Sequence, residues 1–213
     1  MKNSLFALIL FVFTLMLSSC KKDDTPTAGG TTSALSGTFT DNRDGKTYKS
    51  VTIGGQTWMA ENLSYVASSG SWTYNNDSTN GAVYGRLYNW QSAMTASPSG
   101  WHLPSDAEWD NMINSISGSE TAGGKMKDTA TKCWALPNFG ATNSSAFTAL
   151  PAGSRYSSFN PPFFYLGERT WWWSSTEIDN YSVWGRGLTY DSTSVVRTQR
   201  FKNDGYSVRC VKN

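Results

Sequence analysis

The sequence predicts an α+β domain in which short antiparallel strands and long loops accompany one or two helices. A capping-box signature at Ser105 marks one helix, and a Gly-Gly turn marks a hairpin ahead of it. The ten tryptophans and ten tyrosines all lie beyond residue 37, in a polar stretch rich in glycine. So many aromatic side chains in such a chain indicate irregular structure held together by large rings rather than by long helices.

Residues 1–19 have the features of a lipoprotein signal peptide. Lys2 supplies the positive start, an apolar run extends from Leu5 to Leu17, and small residues precede Cys20. The run is shorter than the roughly 20 apolar residues that span a bilayer. We therefore expect cleavage before Cys20 and attachment of lipid to it, so that the membrane becomes a partner through that lipid. The alternative is an ordinary secretory signal with an incidental cysteine.

Residues 20–37 are expected to form the lipidated start and a flexible tether. Residues 21–24, Lys-Lys-Asp-Asp, resemble the lysine-plus-acidic surface-export signal of lipoproteins in the Bacteroidota. This resemblance implies an outer-membrane lipoprotein that faces the cell exterior, and the alternative is a solvated, charged start to a linker. Residues 25–37 are mostly Thr, Ala, Gly and Ser, which is typical of a tether. The folded domain is then expected to occupy residues 38–213.

The first half of the domain carries a predicted hairpin and a short helix. Lys46 to Ile53 alternates in polarity, Gly54-Gly55 gives a two-residue turn, and Gln56 to Met59 resumes the alternation. Gly85 to Met94 places its apolar residues at helical spacing, which predicts a helix there.

The strongest local signal is a helix that begins after Ser105. Ser105 and Glu108 form the S-x-x-E capping box, in which each side chain satisfies a backbone N–H group at the helix start. Gly118 is expected to end the helix. The apolar residues that recur at helical spacing and predict its buried face are Trp109, Met112, Ile113 and Ile116.

Beyond Gly118 the pattern predicts turns and short strands. Alternation places Trp171 and Trp173 on one face, and we expect Trp173 to belong to the core. Residues 202–205 are expected to turn between the last two strands. The predicted strands are Trp171–Trp173, Val183–Leu188, Val195–Arg200 and Tyr206–Val211.

Composition limits the partners. The chain has 18 Lys and Arg against 16 Asp and Glu, and loss of Lys2 with the signal leaves 17. A net charge this close to zero argues against a nucleic-acid partner, which needs a basic stripe. Cys133 and Cys210 remain once Cys20 is lipidated. An exported protein permits them to form a disulfide, and the alternative is two buried thiols.

A series of short motifs follows along the domain. They are TIGGQTWMAENL (52–63), YGRLYNW (84–90), GWHLPSDAEW (100–109), ATN (141–143), FTALPAG (147–153), WWSSTE (172–177) and GYSVRCV (205–211). In this order, and over essentially the whole of 38–213, they resemble the Fibrobacter succinogenes major paralogous domain family. Each motif is weak alone, and their order makes the resemblance specific.

That family in turn resembles the sulfatase-modifying, formylglycine-generating branch of the C-type lectin-like fold. The shared residues are the motifs at 100–109 and 205–211. The resemblance implies an α+β architecture of that type, with twisted antiparallel strands, one or two helices and long loops. The domain family is of unknown biochemical activity, so the resemblance implies a fold and no reaction.

The residues do not favour an enzyme. Formylglycine-generating oxidases use a pair of thiols in one site, whereas Cys133 and Cys210 are far apart in sequence. His102 is the only histidine, which excludes a zinc site built on histidines, and no G-x-S-x-G motif supports a Ser–His–Asp triad. Asp106 and Glu108 fit the first turn of a helix, where negative charge is favourable. We expect no catalytic residues, no metal and no cofactor.

Surface recognition by the late part of the domain is the favoured function. Lectin-like domains of this branch carry variable ligand sites near their C-terminal end. Rigid aromatic and arginine side chains are enriched at binding hot spots. We therefore expect a non-enzymatic, adhesive or ligand-binding module for a glycan or a protein. The residues expected to point outward and bind are Asp179, Asn180, Tyr181, Trp184, Arg186, Tyr190, Asp191, Arg197 and Arg200.

Three alternatives to this function remain open. In the first, the late segment is a solvated sheet face whose aromatic rings pack locally, without a ligand. In the second, the protein is a structural envelope component. The least favoured alternative is an oxidase of the formylglycine-generating type.

Overall fold

The computed structural model describes residues 35–130, 133–160 and 162–213. Within them the protein has a mixed α+β fold, mostly short strands in curled antiparallel sheets with few helices, so the predicted class is confirmed. The predicted signal peptide, Cys20 and the tether up to residue 34 lie outside the described residues. The first strand begins at Leu35, inside the predicted tether.

The helices and strands follow one another along the whole described chain. In order they are β1 (Leu35–Asp41), β2 (Lys46–Ile53), β3 (Gln56–Met59), β4 (Ser71–Trp72), α1 (Ser78–Tyr84), β5 (Leu87–Tyr88), α2 (Trp90–Thr95), β6 (Trp101–His102), α3 (Asp106–Ile116), α4 (Ser119–Met126), β7 (Ala152–Arg155), β8 (Phe163–Leu166), β9 (Arg169–Glu177), β10 (Ser182–Thr189), β11 (Val196–Phe201), β12 (Tyr206–Ser207) and β13 (Val211–Lys212).

The first sheet has the order β1-β2-β3-β13-β6 and is antiparallel throughout. The predicted hairpin is confirmed as β2 and β3. Gly54 and Gly55 have φ angles of 62° and 80°, as a two-residue turn with both central residues left-handed requires. The strand nearest the C-terminus, β13, pairs through Val211 with both Trp58 and His102. The two ends of the domain therefore meet in one sheet.

The second sheet has the order β11-β10-β9-β12-β5-β4, with β7 and β8 attached beside β9. The predicted strands around Trp171–Trp173, Val183–Leu188 and Val195–Arg200 are confirmed as β9, β10 and β11. The predicted strand Tyr206–Val211 is divided, because β12 belongs to this sheet and β13 to the first. The closing segment thus joins the two sheets.

The consecutive tryptophans of β9 serve two cores. Trp172 packs in one cluster with Trp109 of α3, whereas Trp171 and Trp173 pack in another with Tyr206. All three are buried, as expected for Trp173. Strand alternation explains the division, since neighbouring side chains leave a strand on opposite faces.

Helix α3 has the predicted capping box. Ser105 Oγ accepts a hydrogen bond from the Glu108 backbone N–H at 3.2 Å, and Glu108 Oε2 accepts one from the Ser105 backbone N–H at 2.8 Å. The helix buries Trp109, Met112 and Ile113. It stops just before Gly118, which has a φ angle of 78°.

Two helix predictions need correction. Leu87 lies in β5, and helix α2 begins only at Trp90, capped by the Asn89 side chain. Helix α4 follows Gly118 directly, where turns and strands were expected. Two adjacent glycines weakened its signal. They are needed there because a Cβ at Gly123 would lie 2.6 Å from the Thr193 carbonyl oxygen.

Buried cations hold loops by binding their oxygen atoms. Arg209 donates to Asn62 Oδ1 at 2.9 Å and to backbone carbonyls. The Lys127 ammonium donates to the carbonyls of Phe139 and Ser192, both at 2.9 Å. Burial lowers the pKa of Arg209 to about 9 and that of Lys127 to about 8. Each charge therefore has oxygen partners that offset its desolvation.

Cys210 is a buried free thiol, so the possible disulfide with Cys133 is not formed. Its Sγ atom donates to Ser97 Oγ at 3.3 Å. Burial raises the pKa of Cys210 to about 12, which keeps it as a thiol near neutral pH.

Candidate functional site

The predicted binding residues do not form one surface. Asp179, Asn180 and Tyr181 lie in the turn that precedes β10, whereas Tyr190 and Asp191 follow the other end of that strand. Tyr190 is half-buried and packs against the core. The strand residues divide again between two faces, because alternate side chains of β10 and β11 point in opposite directions.

The prediction that Arg186 points outward is wrong. Its side chain is 1% exposed and forms ion pairs with Asp106 and Asp110 of α3, each at 2.6 Å. Arg186 lies opposite Arg197 in the β10–β11 register, and both side chains reach Asp106. Sequence alternation cannot distinguish a solvent face from a face covered by a helix.

Arg197 is exposed, as predicted, but it already has partners. Its guanidinium stacks 3.3 Å from the ring centroid of Trp184 and pairs with Asp106 Oδ2 at 2.8 Å. Burial alone would raise the pKa of Asp106, but Arg197 and Arg186 outweigh it and hold that pKa below its usual value. The predicted residues Trp184 and Arg197 thus belong to a structural network that fastens α3 to the sheet.

Three of the predicted residues, Asn180, Tyr181 and Arg200, line a cleft of about 650 Å³. The segments that form this aromatic cleft are residues 89–91, 156–159, 180–181, 199–204 and Tyr206. Backbone hydrogen bonds hold them together. The Lys202 carbonyl accepts from the Trp90 N–H at 2.9 Å, and the Lys202 N–H donates to the Tyr181 carbonyl at 3.0 Å.

Three residues that line the cleft have exposed aromatic rings. Tyr181, Phe159 and Phe201 are 77%, 60% and 61% exposed, which is unusual for rings gathered at one site. Clustered exposed apolar side chains with polar neighbours mark interaction sites more often than isolated ones do. The arrangement can hold a ligand by stacking.

Arg200 contributes a cation to the cleft. Its guanidinium lies 3.3 Å from the ring centroid of Trp171 and 5.3 Å from that of Tyr206. A glycine in β10 leaves the space, because a Cβ at Gly185 would lie 2.9 Å from Arg200 Cγ. Burial lowers the pKa of Arg200 from its usual value, although Tyr206, Tyr156 and Asp204 favour the charged form. It nevertheless stays charged near neutral pH.

Asp204 and Lys202 shape the cleft around Arg200. Asp204 Oδ1 accepts from the Ser157 backbone N–H at 2.9 Å and from its hydroxyl at 3.0 Å, which fixes the start of the 157–159 loop. The Lys202 ammonium pairs with Glu177 Oε2 at 2.5 Å. Burial raises the pKa of Tyr206 far above its usual value, so its hydroxyl stays protonated.

Sequence reasoning missed Phe159, Phe201, Lys202 and Asp204. Phe201 directly follows the last predicted residue, and the aromatic and polar interleaving that selected Arg200 continues through it. Phe159 lies in a loop far away in sequence, and no periodic signal connects it with β11.

His102 lies outside the cleft, in β6, shortly before α3 begins. Its Nε2 atom is 2.9 Å from Glu108 Oε1, and its Nδ1 atom is 2.6 Å from Asn213 Oδ1. These contacts connect the strand that precedes α3 with the first turn of that helix and with the C-terminal residue. Within the described residues, no cluster of three His, Cys, Asp or Glu side chains is arranged to hold a metal ion.

The sequence pattern of the Fibrobacter succinogenes major domain matches residues 51–212. The chain belongs to this family. The predicted resemblance is thereby confirmed, and the aromatic cleft lies entirely inside the matched range. Neither a search of curated proteins nor a search of solved structures gives a match.

In this Fibrobacter succinogenes major domain, no helix among the described residues combines the length and apolar character that crossing a membrane requires.

Proposed function

We propose that the protein is a non-enzymatic ligand-binding or adhesive module that uses the aromatic cleft to hold a glycan or a protein. The observation that carries the proposal is that three residues with exposed rings, Tyr181, Phe159 and Phe201, line one cleft together with Arg200. Rigid rings give contact area at low entropic cost, and a purely structural envelope protein does not need them exposed.

The test compares rings inside and outside the cleft. Tyr181→Ala and Phe201→Ala are expected to weaken binding to ligands found on glycan or protein arrays by tenfold or more. Phe139→Ala is the matched control, since Phe139 is also 57% exposed but does not line the cleft. Equal binding by all three variants would remove the cleft from the proposal. Arrays that yield no ligand would favour the structural alternative.

Attachment to the outer membrane through lipid on Cys20, with the domain facing outward, belongs to the same proposal. The support is the signal pattern and the Lys-Lys-Asp-Asp segment that follows it. Labelled palmitate should mark the wild-type protein in its host, and Cys20→Ala should lose the label. Protease added to intact cells should digest the domain. Its survival while a known surface protein is digested would place it in the periplasm.

The finer fold is proposed to be C-type lectin-like, of the sulfatase-modifying type. The motifs at 100–109 and 205–211 support it, as do the mixed α+β content and the pairing of the first and last strands in one sheet. A crystal structure compared with that fold class tests it.

Binding is favoured over oxidase chemistry because the buried Cys210 thiol is a poor candidate for a reactive one. Its pKa of about 12 leaves almost no thiolate near neutral pH. Incubation with a cysteine-containing sulfatase peptide and copper checks this, and formylglycine in the product would overturn the non-enzymatic assignment.

A further inference from the structure

We propose that Arg200 is the anion-binding residue of the aromatic cleft and that the ligand is an acidic glycan, whose sugar carboxylate pairs with this guanidinium. The inference rests on the proposed function, since it assigns a ligand class to the same cleft.

The other cations that are removed from solvent have oxygen partners. Arg186, Arg209 and Lys127 each contact oxygen atoms at 2.6–3.1 Å. These oxygens belong to carboxylates, to an amide or to backbone carbonyls. These partners compensate for the loss of water around the charge. In this protein, a cation that is removed from solvent thus normally pairs with oxygen acceptors.

Arg200 departs from that rule. Among the described residues no carboxylate forms an ion pair with it, and its side-chain hydrogen bond is to the neutral Tyr206 hydroxyl. The Nε atoms of Arg200 and Arg186 are both buried without a partner, so the contrast lies in the carboxylates that Arg186 has and Arg200 lacks. The Arg200 guanidinium carbon instead lies 3.3 Å from the ring centroid of Trp171. A partly desolvated charge without an anion is costly, and a carboxylate that arrives with a ligand relieves that cost. The planar guanidinium also matches both oxygens of a carboxylate at once.

Asp204 does not serve as the missing anion. Its Oδ1 atom accepts two hydrogen bonds from Ser157, and its Oδ2 atom lies 3.2 Å from the Tyr206 hydroxyl. The Asp204 side chain is buried. Its oxygens are therefore committed to the wall of the cleft, and the position for an anion facing Arg200 is left to a ligand.

The surroundings favour a sugar over an acidic peptide. Tyr181 and Phe201 line the cleft and have exposed rings, and flat rings can stack on the apolar face of a pyranose. The amide residues Gln91, Gln199 and Asn203 also line the cleft. An amide both donates and accepts, which suits the hydroxyl groups of a glycan.

The experiment measures binding of the full-length chain, purified in detergent, to polygalacturonate, alginate and hyaluronan. Each polymer is paired with its carboxyl-reduced counterpart, and polyglutamate represents an acidic peptide. We expect at least one acidic polysaccharide to bind and its reduced form to bind tenfold or more weakly. Arg200→Met should cause a similar loss, and Arg200→Lys, which keeps the charge without the planar fork, a smaller one.

Arg197→Met is the matched control. Arg197 lies on the same strand and stacks on a tryptophan at the same 3.3 Å, but it is paired with Asp106 and does not line the cleft. Its replacement should leave affinity unchanged. Unaltered thermal melting of Arg200→Met would show that its loss of binding is not unfolding.

The outcomes separate the two proposals. If Phe201→Ala weakens binding while Arg200→Met and carboxyl reduction do not, the cleft binds a neutral ligand and the present inference is wrong. Stronger binding of polyglutamate than of every polysaccharide, lost in Arg200→Met, would assign the site to acidic proteins instead. Binding that survives every cleft variant would overturn the proposed function as well. If none of the polymers binds, the acidic-glycan assignment fails.

Discussion

Arg197 and Arg200 make the same local contact on opposite faces of β11. Each guanidinium stacks 3.3 Å from the ring centroid of a tryptophan, Trp184 for the first and Trp171 for the second. The first is also paired with Asp106 of α3. The second faces the aromatic cleft without a carboxylate partner in the described part of the chain. An arginine–tryptophan stack alone therefore does not show whether an arginine stabilises the fold or is free to bind a ligand.

The difference arises from what covers each face of the sheet. On the Arg197 side, α3 presents Asp106 and Asp110, which are engaged by arginines. On the Arg200 side, the neighbours are the 157–159 loop, the turn before β10 and the turn after β11. The buried carboxylate of that last turn, Asp204, accepts hydrogen bonds from Ser157 of the 157–159 loop. We therefore expect changes on the α3 side to affect stability and changes on the cleft side to affect binding.

The largest expected effect is the loss of Trp109. Its ring is fully buried against Trp172, and its indole N–H donates to the Trp173 carbonyl at 3.2 Å. Trp109→Ala should lower the free energy of unfolding by about 3–5 kcal/mol, because it leaves a large cavity. Chemical denaturation measures the change. A loss below about 1 kcal/mol would show that α3 does not stabilise this side of the sheet.

Much of this α3 side could be predicted from the sequence. The capping box at Ser105 and the spacing of Trp109 and Met112 are local patterns, and local patterns specify a helix and its buried face. The β2–β3 hairpin was predictable for the same reason, since two glycines fix its turn. What stayed hidden was that Arg186 faces α3. Strand alternation predicts which side chains share a face of the sheet, but not whether a helix covers that face.

The cleft was less predictable because it joins segments distant in sequence. Arg200 and Tyr181 were identified from the aromatic and polar composition near β10 and β11. Phe159 and Asp204 take part only because the loop after β7 packs beside the turn after β11, a contact that no periodicity records. The missed helix α4 has a similar cause, since Gly123 is required by tertiary contact with Thr193 and lowers the local helix signal.

The second prediction tests the ion network that distinguishes the Arg197 side. Asp106→Asn removes a carboxylate shared by Arg186 and Arg197, and it should lower the free energy of unfolding by about 3 kcal/mol. Asp110→Asn is the control, with an expected loss of about 1 kcal/mol, because that carboxylate is half-exposed at 52%. Equal losses would mean that the burial of Asp106 does not determine how much this carboxylate contributes to stability.

The third prediction concerns acid. Arg197 and Arg186 hold the folded-state pKa of Asp106 below its usual value of 3.8. The contribution of Asp106 is therefore complete above pH 3.8 and is lost as the pH falls through the lower, folded-state pKa. The stability difference between wild type and Asp106→Asn should shrink on acidification below pH 3.8. A constant difference down to pH 2 would contradict the ion-pair explanation.

A smaller effect is expected at the helix cap. Ser105→Ala removes the hydroxyl that accepts from the Glu108 backbone N–H, and it should cost about 1 kcal/mol. Ser105→Thr keeps both the acceptor and the hydroxyl that donates to Glu108 Oε2, and it should restore most of that loss. Thermal melting of both variants gives the comparison, and no difference between them would rule out a capping contribution.

The smallest expected effect on stability is at Arg200, and it tests the comparison most directly. Arg200→Met keeps an apolar side chain against Trp171 and removes a charge that has no carboxylate partner, so the free energy of unfolding should change by about 0.5 kcal/mol or less. Arg186→Met, by contrast, removes the arginine from Asp110 and leaves Asp106 with Arg197 alone, and it should cost several times more. Denaturation of the two variants side by side measures this. A loss at Arg200 as large as that at Arg186 would show that Arg200 is also structural. If Arg200→Met leaves the free energy of unfolding nearly unchanged but abolishes binding, Arg200 serves the ligand rather than the stability of the fold.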